Sequence, residues 1–132
     1  MAKKQEITKL VSLIIPKRGE IYLVNFDPAT GAEIKKTRPA LILQNDIANR
    51  YSSVTIVAAI TSFSNKDDKT YPTEVFIDGS EGGLDNDSIV LLNQIRTIDK
   101  QRLMKKLGVL KEKTIIQIDK AIQVSLGFSN II

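Results

Sequence analysis

Between residues 20 and 98 the chain carries five short runs rich in β-branched residues, each closed by a turn signal, and only the remaining tail changes to a helical period. Strands first and helices last argue for an α+β domain, most simply a small β-barrel with helix packed on it. The runs are residues 20–26 (EIYLVNF), 39–44 (PALILQ), 53–61 (SVTIVAAIT), 73–78 (TEVFID) and 88–98 (SIVLLNQIRTI). In the first, Ile21 and Leu23 alternate with Tyr22, Val24 and Phe26. Both sets are apolar, which predicts a strand covered on both faces and places Tyr22 and Phe26 in the core. Residues 27–31 (DPATG) read as a turn, 45–52 as a polar connection, 62–71 as a charged loop and 79–87 as a Gly/Asp-rich loop. Asp99 is expected to cap a short helix running through Lys106 and stopped by Gly108. A second helix is expected over 111–126, where Ile115, Ile118, Ile122 and Leu126 share one face and Gly127 follows as the stop.

The chain has 132 residues, 42% apolar and 26% charged, which is the balance of one globular domain. A chain of this length buries roughly two-thirds of its unfolded surface and folds without a staple. Residues 1–15 read as a short N-terminal extension and 16–132 as a single domain. Cysteine and histidine are both absent. That excludes disulfides, thiolate zinc sites, cysteine nucleophiles and imidazole bases. Any catalysis must rest on Arg, Lys, Tyr, Ser, Thr or carboxylates. The longest apolar run near the start, residues 10–15, ends in Pro16-Lys17-Arg18 and is too short for a signal peptide or a membrane span, so the expectation is a cytoplasmic protein.

Nineteen basic residues against fifteen acidic ones give a net charge of +4, which permits an anionic partner such as RNA without demanding one. The signs are unevenly spread. Lys35, Lys36 and Arg38 share one loop, and Asp78, Glu81, Asp85 and Asp87 share another, as expected if one face meets an anion. Arg96, Arg102, Lys105 and Lys106 read as a solvated basic face.

Hairpin geometry selects two residues. The second and third strands are joined by a short connection and should pair antiparallel. Placing Gln44 opposite Thr55 brings Arg38, at the start of one strand, opposite Thr61, at the end of the other. Pro39 holds Arg38 in extended backbone. The guanidinium offers a planar donor fork that suits a phosphate, and the Thr61 hydroxyl can donate to a phosphoryl oxygen. Alone, an arginine at a strand start is a solvated residue and a threonine at a strand end is a β-former; their convergence singles them out.

The segments KRGEIYLVNFDPATGAE, TRPALILQND, VTIVAAITS, YPTEVFI and SIVLLNQIRTIDKQRL resemble the MazF/PemK family of toxin endoribonucleases, over about residues 17–128. The resemblance implies an SH3-like β-barrel of about five to seven strands with C-terminal helices, acting as a homodimer. It implies metal-independent, sequence-specific cleavage of single-stranded RNA, with no cofactor and no membrane. It also implies a cognate antitoxin whose disordered, acidic segment covers the RNA groove. It places the catalytic arginine at Arg38, the catalytic threonine at Thr61, the loop glutamate at Glu33 and the late-strand glutamine at Gln94. Relatives carry Gly-Ser-Glu where this chain has Gly31-Ala32-Glu33, so a serine hydroxyl is absent at Ala32, and Lys35 and Lys36 replace small residues. The expected chemistry is attack by the RNA 2′-hydroxyl on the adjacent phosphate, with Glu33 the candidate base in a chain without histidine. RNA contacts are expected at Gly31, Lys35, Lys36 and Ser62. Tyr71 is placed either to stack on a base or to cap the barrel, and Gln94 either to read a base edge or to serve the structure. A toxin on a similar barrel that binds and poisons DNA gyrase without cutting RNA is the alternative.

Overall fold

The structure, a computed structural model, describes residues 14–63 and 70–129. The expected N-terminal extension lies mostly outside the described residues, as does most of the charged loop that follows Ser62. Six strands form one antiparallel sheet: β1 (Glu20–Asn25), β2 (Thr37–Ile42), β3 (Val54–Ser62), β4 (Glu74–Ile77), β5 (Ser88–Asp99) and β6 (Leu103–Val109). Their order in the sheet is β4-β5-β3-β2-β1-β6. Among the described residues two α-helices accompany the sheet, α1 (Asp46–Tyr51) and the C-terminal α2 (Glu112–Ser125). The class is α+β, and the SH3-like barrel description fits this strongly curved sheet, although its edge strands β4 and β6 are not paired to each other.

The doubly apolar first strand does what its composition dictates. Ile21 packs with Leu41, Ala58, Ile60, Leu92 and the α2 residues Ile118 and Ala121 on one side of the sheet. Tyr22, Val24 and Phe26 pack with Ala40, Ile42, Val57 and Ala59 on the other. The helical stripe is real along most of its length: Ile118 is fully buried, and Ile115 and Ile122 pack against the same cluster. Leu126, by contrast, lies past the helix and is exposed.

Two segments depart from expectation. The connection after Gln44 is the short helix α1, capped by the Asn45 side chain, which accepts from the Ala48 N–H at 2.8 Å. It has almost no apolar underside and is fastened by polar groups instead. Buried Asn49 donates to the Gln44 carbonyl and accepts from Gln44 and Thr55, and the buried Lys100 ammonium donates to the Asn49 carbonyl. Burial lowers the Lys100 pKa.

The helix expected from Asp99 to Lys106 is a single 3-10 turn, Lys100–Arg102, followed by strand β6. The Asp99 cap exists, with its carboxylate accepting from the Gln101 N–H at 2.8 Å. What the local pattern could not register is the open edge of β1, which takes Leu103–Val109 as a partner from Val24↔Leu103 to Glu20↔Val109. Gly108 is therefore a strand residue, kept small because a Cβ there would lie 2.4 Å from the Gly82 carbonyl carbon. Among the described residues one C-terminal helix, α2, packs on the sheet where two were expected.

Candidate active site

The β2–β3 hairpin has the expected register: Ala40 faces Ala59, Leu41 faces Ala58 and Ile42 faces Val57. Opposed residues of an antiparallel pair project to the same face. Continued outward, the register sets Arg38 against Thr61. The ladder stops at Ala40, next to Pro39, which has no N–H to give. Beyond that last rung a cleft of about 340 Å³ opens, lined by Arg38 from the start of β2 and by Thr61 and Ser62 from the end of β3.

The opposite wall comes from the loop between β4 and β5, which contributes Gly83, Leu84, Asp85 and Asn86, and from Leu107 of β6. The loop reaches this position because Ser62 pairs with Ser88, so the chain before Ser88 leaves the sheet at the end where Thr61 sits. Backbone contact holds it there. A Cβ on Gly83, whose φ is +74°, would lie 1.9 Å from the Leu107 carbonyl oxygen. The acidic loop therefore shares the cleft with Arg38, and the two charge clusters do not mark separate faces. Sequence reasoning missed Asp85 and Asn86 here, although pairing the strand from Ser88 with the strand ending at Ser62 would have found them.

Arg38 is half-buried, and its Nε donates to the Lys35 carbonyl at 3.0 Å. Among the described residues its terminal nitrogens have no partner, and neither has the Thr61 hydroxyl. One donor of the fork is thus moored while the others face the cleft, a preorganised site for an anion.

The loop between β1 and β2 is braced from several sides. The Phe26 N–H donates to the Lys36 carbonyl, and the Lys36 N–H donates to the Asp27 carboxylate. Arg96 donates to the Phe26 carbonyl, and Arg102 to the carbonyls of Asn25 and Asp27. Lys106 pairs with Glu20 at 2.6 Å. Arg96, Arg102 and Lys106 thus brace the sheet as well as belonging to the solvated basic face expected of them, where Lys105 and Lys106 are exposed.

The other expected site residues fall around the cleft rather than in it. Glu33 is exposed, and its carboxylate accepts from the Thr30 N–H at 2.6 Å. Gly31 supplies a left-handed turn at φ +57°, and Lys35 and Lys36 are exposed beside Arg38. Gln94 sits where β5 bulges, since Ala58 faces Ile95 while Ala59 faces Leu91. The bulge aims its amide at the β1–β2 loop, where it accepts from the Ile34 N–H at 3.3 Å and reaches the Ala32 carbonyl at 3.5 Å. Tyr71 is 71% exposed and does not line the cleft. Strands β3 and β4 both run antiparallel to β5 and so run parallel to each other. Ile77 faces Ser88 at the cleft end while Glu74 faces Leu91, so Tyr71, just before β4, lies at the end of that strand away from the cleft.

The family model for PemK-like, MazF-like toxins of type II toxin–antitoxin systems matches residues 17–126. The chain is 46% identical over 114 residues to Endoribonuclease MazF of Staphylococcus epidermidis, covering 86% of this chain and 93% of that one. It is also 46% identical over 114 residues to Endoribonuclease EndoA of Bacillus subtilis, covering 86% and 97%. Among solved structures it resembles MazF of Deinococcus radiodurans, with a TM-score of 0.73 at 25% identity over 86% of this chain and 98% of that one. A mycobacterial endoribonuclease in complex with its cognate antitoxin superposes with a TM-score of 0.71 at 25% identity, covering 86% and 97%. With the matched segment taking in the whole sheet, both walls of the cleft and all of α2, the chain belongs to the PemK-like, MazF-like toxin family of type II toxin–antitoxin systems.

Proposed function

We propose that this endoribonuclease toxin cuts single-stranded RNA, mRNA included, at short sequences by transesterification. The 2′-hydroxyl attacks the adjacent phosphate, leaving a 2′,3′-cyclic phosphate and a 5′-hydroxyl end. The observation that carries this reading is the meeting of Arg38 and Thr61 in one cleft. As negative charge gathers on the phosphate, the free nitrogens of Arg38 donate to its oxygens and to the departing 5′ oxygen. Thr61 donates to a non-bridging oxygen. A fixed guanidinium supplies the charge stabilisation that a metal supplies elsewhere, so the scheme needs none. Lys35 and Lys36 draw in the RNA backbone, Ser62 lies within the cleft to contact a sugar or phosphate, and exposed Tyr71 is available to stack on a base away from the scissile link. Glu33 and Gln94 hold the loop that carries Lys35 and moors Arg38.

The toxin acts as a cytoplasmic homodimer, and a cognate antitoxin neutralises it by laying a disordered acidic segment along the cationic rim, ordering as it binds. The test is a long RNA incubated with the protein in EDTA, with the 5′ ends of the fragments sequenced. Defined fragments, lost in Arg38→Ala and Thr61→Ala variants that still fold, support the reading. Intact RNA together with inhibited DNA gyrase would replace it with a binding toxin.

A further inference from the structure

The cleft holds a second group that matters to the reaction. Four carboxylates lie in the chain between β4 and β5, and three are engaged with backbone. Asp78 accepts from the Ser80 N–H and hydroxyl, Glu81 accepts from the Lys111 N–H, and Asp87 accepts from the Gly79 N–H. Among the described residues Asp85 has no hydrogen-bond partner, is exposed, and is the only carboxylate lining the cleft. Among the same residues Arg38 is the only cation lining it. Glu33, the candidate base in a chain without histidine, instead spends an oxygen on Thr30 and does not line the cleft.

From this arrangement, and resting on the RNA-cleavage reading above, we propose that Asp85 is the catalytic base that takes the proton from the attacking 2′-hydroxyl. The 2′ O–H bond breaks as the proton passes to an Asp85 oxygen, and the freed electron pair forms the bond to phosphorus. The bond from phosphorus to the 5′ oxygen breaks, and the leaving oxygen takes a proton from water. Asp85 then returns its proton to solvent, so no atom is lost or gained. The loop is fit for this duty because its backbone is fixed where Gly82 and Gly83 press against β6, while the Asp85 side chain is unspent. Among the described residues the charged groups near Asp85 are Arg38, which lines the same cleft, and Asp78, Glu81 and Asp87 in its own loop; the β6 wall presents Leu107.

The experiment is single-turnover cleavage of a short RNA containing one mapped site, followed across pH for the wild-type protein, Asp85→Asn and Glu33→Gln, with thermal unfolding to confirm that each folds. Asp85→Asn is expected to slow the step by ~10²–10⁴-fold without weakening RNA binding, and to abolish the fall in rate toward low pH. Glu33→Gln is expected to retain that fall. The inference is overturned if Asp85→Asn stays within about threefold of wild type and keeps the acidic limb. It is equally overturned if Glu33→Gln removes the limb, or if Asp85→Asn weakens binding and leaves the chemical step intact. An inactive Arg38→Ala beside a normal Asp85→Asn would sink Asp85 alone, whereas a wild-type protein that cuts no RNA would sink the nuclease chemistry with it.

Discussion

Arg38 Nε donates to the Lys35 carbonyl at 3.0 Å, so the guanidinium that opens β2 is oriented by the chain three residues upstream. Lys36, between them, has φ +65°, in the left-handed region. That conformation costs any L-residue roughly 1–2 kcal/mol, a penalty lysine already bears, costs a β-branched residue more, and costs glycine nothing. Lys36→Val should therefore lower stability and misplace the mooring carbonyl, slowing RNA cleavage by up to ~10²-fold. Lys36→Gly should keep the loop and lose only a charge. Thermal unfolding and cleavage rates of the two variants check this.

Removing either cleft donor should be felt in the reaction and not in the fold. Thr61→Ala and Arg38→Ala should each lower the cleavage rate by ~10²–10³-fold. Neither residue is fully buried, so unfolding temperatures should move little. Rates under single-turnover conditions and melting curves separate the two effects.

Gln94 holds the β1–β2 loop through the Ile34 N–H. One such bond is worth about 1 kcal/mol, so Gln94→Ala should speed amide exchange at Ile34 by about fivefold. Cleavage should slow with the cut sequence unchanged. An altered cut sequence with normal exchange at Ile34 would assign Gln94 to base reading instead.

The loop that delivers Asp85 depends on backbone meeting backbone. Gly83→Ala would drive a Cβ into the Leu107 carbonyl at φ +74° and should destabilise the protein by roughly 3 kcal/mol or more. Gly31→Ala, also at positive φ but with no atom within 4 Å of the added Cβ, should cost only ~1–2 kcal/mol. Denaturant unfolding of the pair distinguishes clash from conformation.

Burial, and Glu20 beside it, push Tyr22 up from 10.0 to about 12. Between those values the unfolded chain loses a proton that the native state keeps. The Tyr22 contribution is therefore complete below pH 10 and lost as pH rises toward 12. The phenolate absorbance of Tyr22 should appear late, as pH approaches about 12. In Tyr22→Phe that late step should vanish, together with its share of the alkaline loss of stability.

Strand identity and the pairing of Arg38 with Thr61 were legible because both are local facts. Alternation of apolar side chains marks a strand, and a short connection between two strands leaves little choice of register. The C-terminal helix was legible for the same reason, through the spacing of Ile115, Ile118 and Ile122. Helix α1 has little apolar face, so its polar composition read as a connection. Residues 103–109 form a strand because β1 has an edge to fill, and a neighbour brought in from far along the chain leaves no trace in local periodicity. The same reason governs the cleft. Sequence alone determined strands β1 to β5 and which cation and hydroxyl would meet. Tertiary packing decided that Glu33 turns to Thr30, that Gln94 serves a loop, that Tyr71 is carried to the far end of β4 and that Asp85 faces Arg38's cleft. Each of those depends on a contact between segments distant in the chain, made possible by the sheet's order and by glycines that let backbones touch.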